Sequence, residues 1–273
     1  MNTSNLIKNY FREDKLPHIW CPGCGHGIIM HAVVRAIDKL GLDNDKVCIV
    51  SGIGCSSRAS GYMNFNTLHT THGRALAFAT GIKMAQPDLT VIVLTGDGDC
   101  SAIGGNHLIH AARRNIDITT VAFNNSIYGM TGGQYSPTTP MGDYGTTAPY
   151  GNIDNSFDLC DLAQAAGATY VGRSTAYHAK QLSTLIENAI LNKGFSFVEA
   201  VSSCPTYYGR KNKKGDAVDM INRLKDEHID IKIVEKKPEL AECKTLIGEF
   251  YNQPQQEYTD KYQKIIDMLK GEN

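Results

Sequence analysis

Two hydrophobic rhythms alternate along this chain. Four short runs, Lys46–Ser51, Thr90–Thr95, Thr119–Asn124 and Phe195–Val201, are mostly apolar along their whole length, the pattern of strands buried on both faces. Thr169–Arg173 is a fifth of the same kind. Between them Gly27–Leu40, Gly73–Gln86, Ala102–Arg113, Asp158–Ala166 and Ala179–Asn192 carry helical patterns. Strands alternating with helices of this length predict an α/β fold, a doubly wound and mostly parallel sheet with helices on both faces. Such sheets bind ligands at the carboxyl ends of their strands. Three Gly- and Asn-rich segments fall there, Ser51–Gly54, Gly96–Gly98 and Asn124–Gly129, so three strand ends are expected to meet at one site.

Periodicity lapses from Tyr128 to Ser156, where Gly, Thr, Pro and Tyr dominate. A loop this long in a compact domain is usually functional or disordered. Its place directly after the third segment predicts a lid or a substrate wall. Residues 1–235 are read as one domain with a Cys-rich N-terminal segment. Residues 236–273, of mixed charge and helix-like near Asp260–Leu269, are read as a tail packing on that domain or on a partner subunit. There are no internal repeats.

Composition narrows the function classes. Lys and Arg number 27 against 28 Asp and Glu in 273 residues, so no net field favours nucleic acid or an anionic membrane. The N-terminus has scattered charges and no apolar run, and the longest apolar stretches are far too short to span a bilayer. A cytoplasmic location is expected. Eight cysteines without a secretion signal argue against a disulfide framework and for a metal or cluster. Cys48, Cys100, Cys160 and Cys243 lack partners at ligand spacing and are read as bland.

Gly96-Asp97-Gly98 ends one apolar strand and Asn124-Asn125 ends the next, with 25 residues (99–123) between the motifs. Physically this suits a metal-bridged diphosphate. Glycines allow close backbone approach, and the helix expected from near Ala102 offers unpaired N–H groups. Mg²⁺ takes oxygen ligands from carboxylate, amide, main chain and phosphate; Asp97, the Asn125 side chain and the Ile127 carbonyl would supply three. Asp99 stands close by as a support or a solvated acid. The pattern resembles that of thiamine diphosphate enzymes, in which the metal takes the Asp, the second Asn and the carbonyl two residues on.

Trp20-Cys21-Pro22-Gly23-Cys24-Gly25-His26 has three readings. A thioredoxin-like redox pair needs a strand leading into the motif, but Asp14–His18 is charged and contains Pro17. Zinc, or a [4Fe–4S] cluster, would be completed by Cys55 and Cys204, and spacing alone does not separate the two. An electron acceptor beside thiamine diphosphate makes chemical sense, whereas a structural zinc there would be idle.

CPGCGHG, SGIGCSSR, THGRALAFATG, LTGDGD, NNSIYGMTGGQ and SCPTYYGR run in order from Cys21 to Arg210. Together they resemble the β subunit of 2-oxoacid:ferredoxin oxidoreductases. That resemblance implies a thiamine diphosphate-binding domain of the diphosphate type, Mg²⁺ on Asp97, Asn125 and Ile127, and one [4Fe–4S] cluster on Cys21, Cys24, Cys55 and Cys204. It implies a cofactor cavity lined by Gly54, Cys55, Ser56, His72, Gly96, Asp97, Gly98, Asp99, Asn125, Ile127, Gly129, Met130 and Thr131. It also implies a separate α subunit, which carries the pyrimidine-binding domain and its activating glutamate, possible additional small subunits, and ferredoxin as acceptor. The reaction implied is oxidative decarboxylation of a 2-oxoacid with coenzyme A, and this chain alone is expected to be inactive.

Carboxylate substrates need cations. Arg58, three residues after Cys55, is the candidate partner for a distal carboxylate, against the reading of a solvated loop arginine. His72 and Arg74 are expected to open a helix, where positive charge opposes the dipole and points to an anion-binding or catalytic role. Met130 and Thr131 follow the metal loop, and the resemblance implies that they border the substrate side chain. Arg58 and the Met130–Met141 segment favour 2-oxoglutarate over pyruvate or a broad range of 2-oxoacids. A non-oxidative thiamine enzyme, or a non-catalytic metal-binding scaffold, stands as the alternative class.

Overall fold

The alternating runs fold into a single eight-stranded sheet. The protein is described by a computed structural model covering residues 3–271, so the first two and last two positions of the expected segments lie outside the described residues. In chain order the elements are α1 (Thr3–Tyr10), α2 (His26–Lys39), β1 (Val47–Ser51), α3 (Ala59–Tyr62), β2 (Asn66–His69), α4 (Ala75–Ala85) and β3 (Thr90–Gly96). There follow α5 (Gly105–Arg114), β4 (Thr119–Asn124), α6 (Leu159–Ala165), β5 (Tyr170–Thr175), α7 (Ala179–Leu191) and β6 (Ser196–Val201). The chain closes with α8 (Ala217–Asp226), β7 (His228–Asp230), α9 (Ile231–Val234), β8 (Thr245–Asn252) and α10 (Tyr258–Lys270).

Strand order is β2-β1-β3-β4-β6-β5-β8-β7, and only β8 against β5 is antiparallel. The period-two alternation of each inner strand serves two cores. Ile49, Ile92, Leu94, Val121, Phe123 and Val198 face α2 and α7, while Val50, Val91, Val93, Ala122, Val171 and Phe197 face α4, α5 and α6. Each face alone would be an exposed apolar surface; helices on both sides bury it. Strand order reverses between β1 and β3, which opens the ligand crevice at their carboxyl ends.

The expected elements are present, with three shifts. The helix foreseen from Ala102 begins earlier and in a different winding: a π-helical turn covers Asp99–Ile103, and α5 starts only at Gly105. The helix foreseen from Gly73 starts at Ala75, because Gly73 has φ +70°, a conformation that suits a turn. His72 and Arg74 therefore precede this helix rather than open it. Residues 236–273 supply β8, which is hydrogen-bonded between β5 and β7 and extends the sheet. Asn115 binds α10 to the body, its carbonyl accepting from the Tyr258 N–H at 3.1 Å.

Candidate functional site

A cavity opens where the chain leaves β1, β2, β3 and β4, and all thirteen residues expected around a cofactor line it, joined by His26, Ile53, Phe123 and Tyr128. Asp97 follows the last residue of β3 and is 3% exposed. Its Oδ2 accepts from Ser136 Oγ at 2.5 Å and Thr138 Oγ1 at 2.7 Å. Burial nevertheless pushes its pKa up to about 6, with the two hydroxyls opposing. A buried carboxylate of this kind, in no ion pair among the described residues, is the donor a hard metal ion would satisfy.

The two asparagines after β4 divide their work. Asn124 turns into the sheet, where its amide donates to Glu199 Oε1 at 2.6 Å. Asn125 lines the cavity. Between Asn124 and the loop beyond, Ser126 takes a left-handed φ of +57° and its N–H donates to Asn124 Oδ1 at 3.0 Å. The expected metal set of Asp97, Asn125 and Ile127 thus comes from two adjacent parallel strands. Close approach at the motif is enforced: a Cβ on Gly98 would stand 2.3 Å from the Tyr128 ring.

Asp99 is neither solvated nor idle. Its carboxylate is buried and gathers donors from three strand ends. Oδ1 accepts from His72 Nδ1 at 2.6 Å, from the Gly73 N–H at 2.7 Å and from the Ile53 N–H at 3.3 Å; Oδ2 accepts from Thr95 Oγ1 at 2.7 Å. A carboxylate only accepts, so Nδ1 of His72 carries a proton and Nε2 is left for a ligand. His72 also meets the Tyr128 ring edge-on at 6.1 Å. Arg74 lies outside the cavity lining; its guanidinium donates to the Ile103 carbonyl at 3.2 Å. Arg58 is exposed in the turn Ser56–Arg58 and is likewise outside the lining.

Four thiols from three distant segments gather at one side of this cavity. Burial drives the Cys24 thiol up to about 12, with Cys204, Cys55 and Cys21 adding to it, and Cys55 up to about 11. The Trp20 indole N–H donates to the Cys55 carbonyl at 2.7 Å. Gly129 leaves the gap they face: a Cβ there would lie 3.3 Å from Cys55 Sγ and 3.8 Å from Cys204 Sγ. His26 lines the cavity fully buried, held near a pKa of about 4 by desolvation, and packs edge-on against Phe123 at 5.2 Å. The thiols of Cys24 and Cys55, raised by burial and gathered with the buried Cys204 and the exposed Cys21, fit a cationic metal group that would take them as thiolates.

Among the described residues, the His, Cys, Asp or Glu set whose ligand atoms all lie within 4.8 Å of one another is Asp158, Cys160 and Glu199. Arg173 already occupies that cluster, its Nε 2.6 Å from Glu199 Oε2 and a terminal nitrogen 2.6 Å from Asp158 Oδ1. It is an ion-pair network rather than a metal centre. Of the other cysteines expected to be bland, Cys48 and Cys100 sit in the second core and Cys243 is exposed.

Sequence reasoning missed Ser136, Thr138, Tyr128 and His26. The first two lie in the aperiodic loop, which clamps the Asp97 carboxylate in addition to bordering the cavity.

Residues 52–200 match the family described as thiamine pyrophosphate enzyme, C-terminal TPP binding domain. The chain is 53% identical over 268 residues to the 2-oxoglutarate synthase subunit KorB of Methanothermobacter marburgensis, covering 98% of this chain and 94% of that one. It is 53% identical over 264 residues to the KorB subunit of Methanocaldococcus jannaschii, covering 96% and 98%. Among solved structures, it resembles the 2-oxoglutarate:ferredoxin oxidoreductase of Magnetococcus marinus with 2-oxoglutarate, coenzyme A and succinyl-CoA bound. There the TM-score is 0.86 at 36% identity, over 97% of this chain and 90% of that one.

Proposed function

The chain belongs to the family of 2-oxoglutarate synthase KorB subunits, and from that membership we propose that it is the thiamine diphosphate-binding β subunit of an enzyme that converts 2-oxoglutarate and coenzyme A to succinyl-CoA and CO₂, with ferredoxin as electron acceptor. The observation that carries the reading is the meeting of Asp97, Asn125 and the Cys55 and Cys204 thiols at one cavity. Asp97, the Asn125 amide oxygen and the Ile127 carbonyl would hold Mg²⁺ against the diphosphate. Thiamine diphosphate, when bound, supplies the carbon nucleophile and the electron sink for decarboxylation.

The chain's own residues position and neutralise. Ser136 and Thr138 fix the Asp97 carboxylate, Asp99 ties the loops after β1, β2 and β3 together, and Tyr128 closes over Gly98. His72 presents one imidazole nitrogen from a fixed ring. Cys21, Cys24, Cys55 and Cys204 would hold a [4Fe–4S] cluster that takes electrons one at a time. Their spread supports a cluster over zinc: a lone zinc with sulfurs at about 2.3 Å needs them roughly 3.8 Å apart, and no three of these thiols lie mutually within 4.8 Å. Arg58, exposed beside the Cys55 turn, is assigned to the distal carboxylate of the acid, which it would meet once the α subunit closes the open side.

The test is to copurify the native complex without oxygen and assay coenzyme A-dependent viologen reduction with 2-oxoglutarate and pyruvate, alongside iron and sulfide analysis. Preferential turnover of 2-oxoglutarate with about four irons beyond those of any partner subunit is expected. One zinc and no iron on this chain, or no response to any 2-oxoacid, would end the proposal.

A further inference from the structure

The surface beside the four thiols carries a charged turn that plays no part in that cavity. Gly209–Lys214 leaves the Cys204 segment and returns to it, with the Gly209 N–H on the Cys204 carbonyl at 2.9 Å and the Lys214 N–H on the Gly209 carbonyl at 2.9 Å. Its tip holds Arg210, Lys211 and Lys213, all exposed. The Cys21–Cys24 loop is seated against the same segment: a Cβ on Gly23 would overlap Ala217 Cβ at 2.2 Å and lie 3.4 Å from Pro205 Cγ. Cys21 is the exposed member of the four cysteines, so the thiol group reaches the surface on this side.

The charge there is free to meet a partner. Lys214 is taken up by Asp143 at 3.5 Å, whereas Arg210, Lys211 and Lys213 enter no ion pair among the described residues. The nearest acids along the chain, Asp216 and Asp219, are engaged as the capping box of α8. Three unpaired cations in one turn are a local concentration in a chain of net charge −1. Val218, well exposed beside Ala217 where the Gly23 turn is seated, adds apolar surface here. Apolar groups with complementary charge around them make an interface that steers encounter.

We propose that Arg210, Lys211 and Lys213, with the exposed edge of the Cys21–Cys24 loop, form the docking face for a small acidic one-electron carrier protein. The inference rests on the cluster reading above. In each encounter one electron leaves the reduced cluster for the oxidised carrier, and no bond forms or breaks. Two encounters remove the two electrons that decarboxylation releases. Viologens are small cations that do not need the face.

The test uses the complete enzyme complex and a strongly acidic two-cluster ferredoxin. Binding of the oxidised ferredoxin is measured calorimetrically at low and high salt, with ferredoxin and viologen reduction in parallel. The triple variant R210E/K211E/K213E is expected to raise the Kd about tenfold or more and to lose most of the salt dependence of binding. Its viologen rate and subunit content should be unchanged, and R210K/K211R/K213R should bind as the parent does. Unaltered ferredoxin affinity in the triple reversal overturns the proposal, as does loss of partner subunits, which would make this turn a subunit contact. A parent complex without cluster iron or viologen activity instead overturns the underlying functional reading.

Discussion

Replacing Gly129 by Ala probes the space between the thiols with a single carbon. The new Cβ would sit 3.3 Å from Cys55 Sγ and 3.8 Å from Cys204 Sγ, so a sulfur must yield by roughly 0.3–0.5 Å. Without a metal group the Cys55 thiol can rotate about its own side chain, and the strain is no more than about 1 kcal/mol. Gly129 has no left-handed φ, so Ala also gains roughly 0.4–1 kcal/mol by restricting the unfolded chain. Apo stability should therefore stay within about 1 kcal/mol of the parent. A cluster is less forgiving, because metal–ligand distances hold to about 0.2 Å, and the forced shift exceeds that. Expected are an unchanged thermal midpoint without metal and at least about a twofold loss of bound iron and of the visible absorbance after anaerobic reconstitution. Gly105→Ala, where nothing lies within 4 Å of the added carbon, is the control and should load fully. Full iron with parental absorbance in Gly129→Ala would show that the four thiols do not share a cluster at this gap.

Asp97→Ala should abolish thiamine diphosphate binding in calorimetry while leaving cysteine-bound iron in place; retained affinity would remove Asp97 from the metal site. Arg58→Ala should raise KM for 2-oxoglutarate more than it lowers kcat, changing kcat/KM by roughly ten- to hundredfold, with little effect on pyruvate. An equal fall for both acids would place Arg58 at the shared 2-oxo-carboxylate instead. His228 is held near a pKa of about 4, chiefly by burial, below its ordinary 6.5. The unfolded chain therefore takes up the proton first, so this contribution to stability is complete above about pH 6.5 and is lost as pH falls toward 4, amounting to at most about 3 kcal/mol. Denaturant titrations of His228→Gln against the parent should show that difference disappearing across this window, and parallel curves would refute it.

What the sequence displays and what it hides follow from one distinction. β1, β3, β4 and β6 are buried on both faces, so each is a near-continuous apolar run that stands out. β2, half exposed at an edge, has no such run. β8, joined antiparallel to β5 and only partly buried, carries Glu249 and Asn252 in place of a pattern. The Asp97–Asn125 spacing was legible because one crossover joins adjacent strands and so fixes where both residues emerge. Hydroxyls in an aperiodic loop leave no comparable trace, and Ser136 and Thr138 became visible only when the loop was seen to fold back on Asp97. The ion-pair network does leave a signal in the sequence. Arg173 and Glu199 stand directly opposite each other in strands β5 and β6, and charges inside buried strands must be paired.

That network gives the first asparagine its role. Glu199 binds Arg173 through Oε2 and Asn124 through Oε1. The oxygen of the Asn124 amide lies 2.9 Å from Thr138 Oγ1, which is 2.7 Å from Asp97 Oδ2. Thr138 has one hydroxyl proton and serves one of the two acceptors at a time, while Ser136 holds Asp97 throughout. A buried ion pair in the sheet thus orients Asn124, Asn124 places Thr138, and Thr138 helps aim the carboxylate expected to meet the metal. Pairs of this kind stabilise a fold little beyond an apolar substitute. Their value here lies in geometry, since a ligand set at two strand ends works only when each side chain is held before the ion arrives.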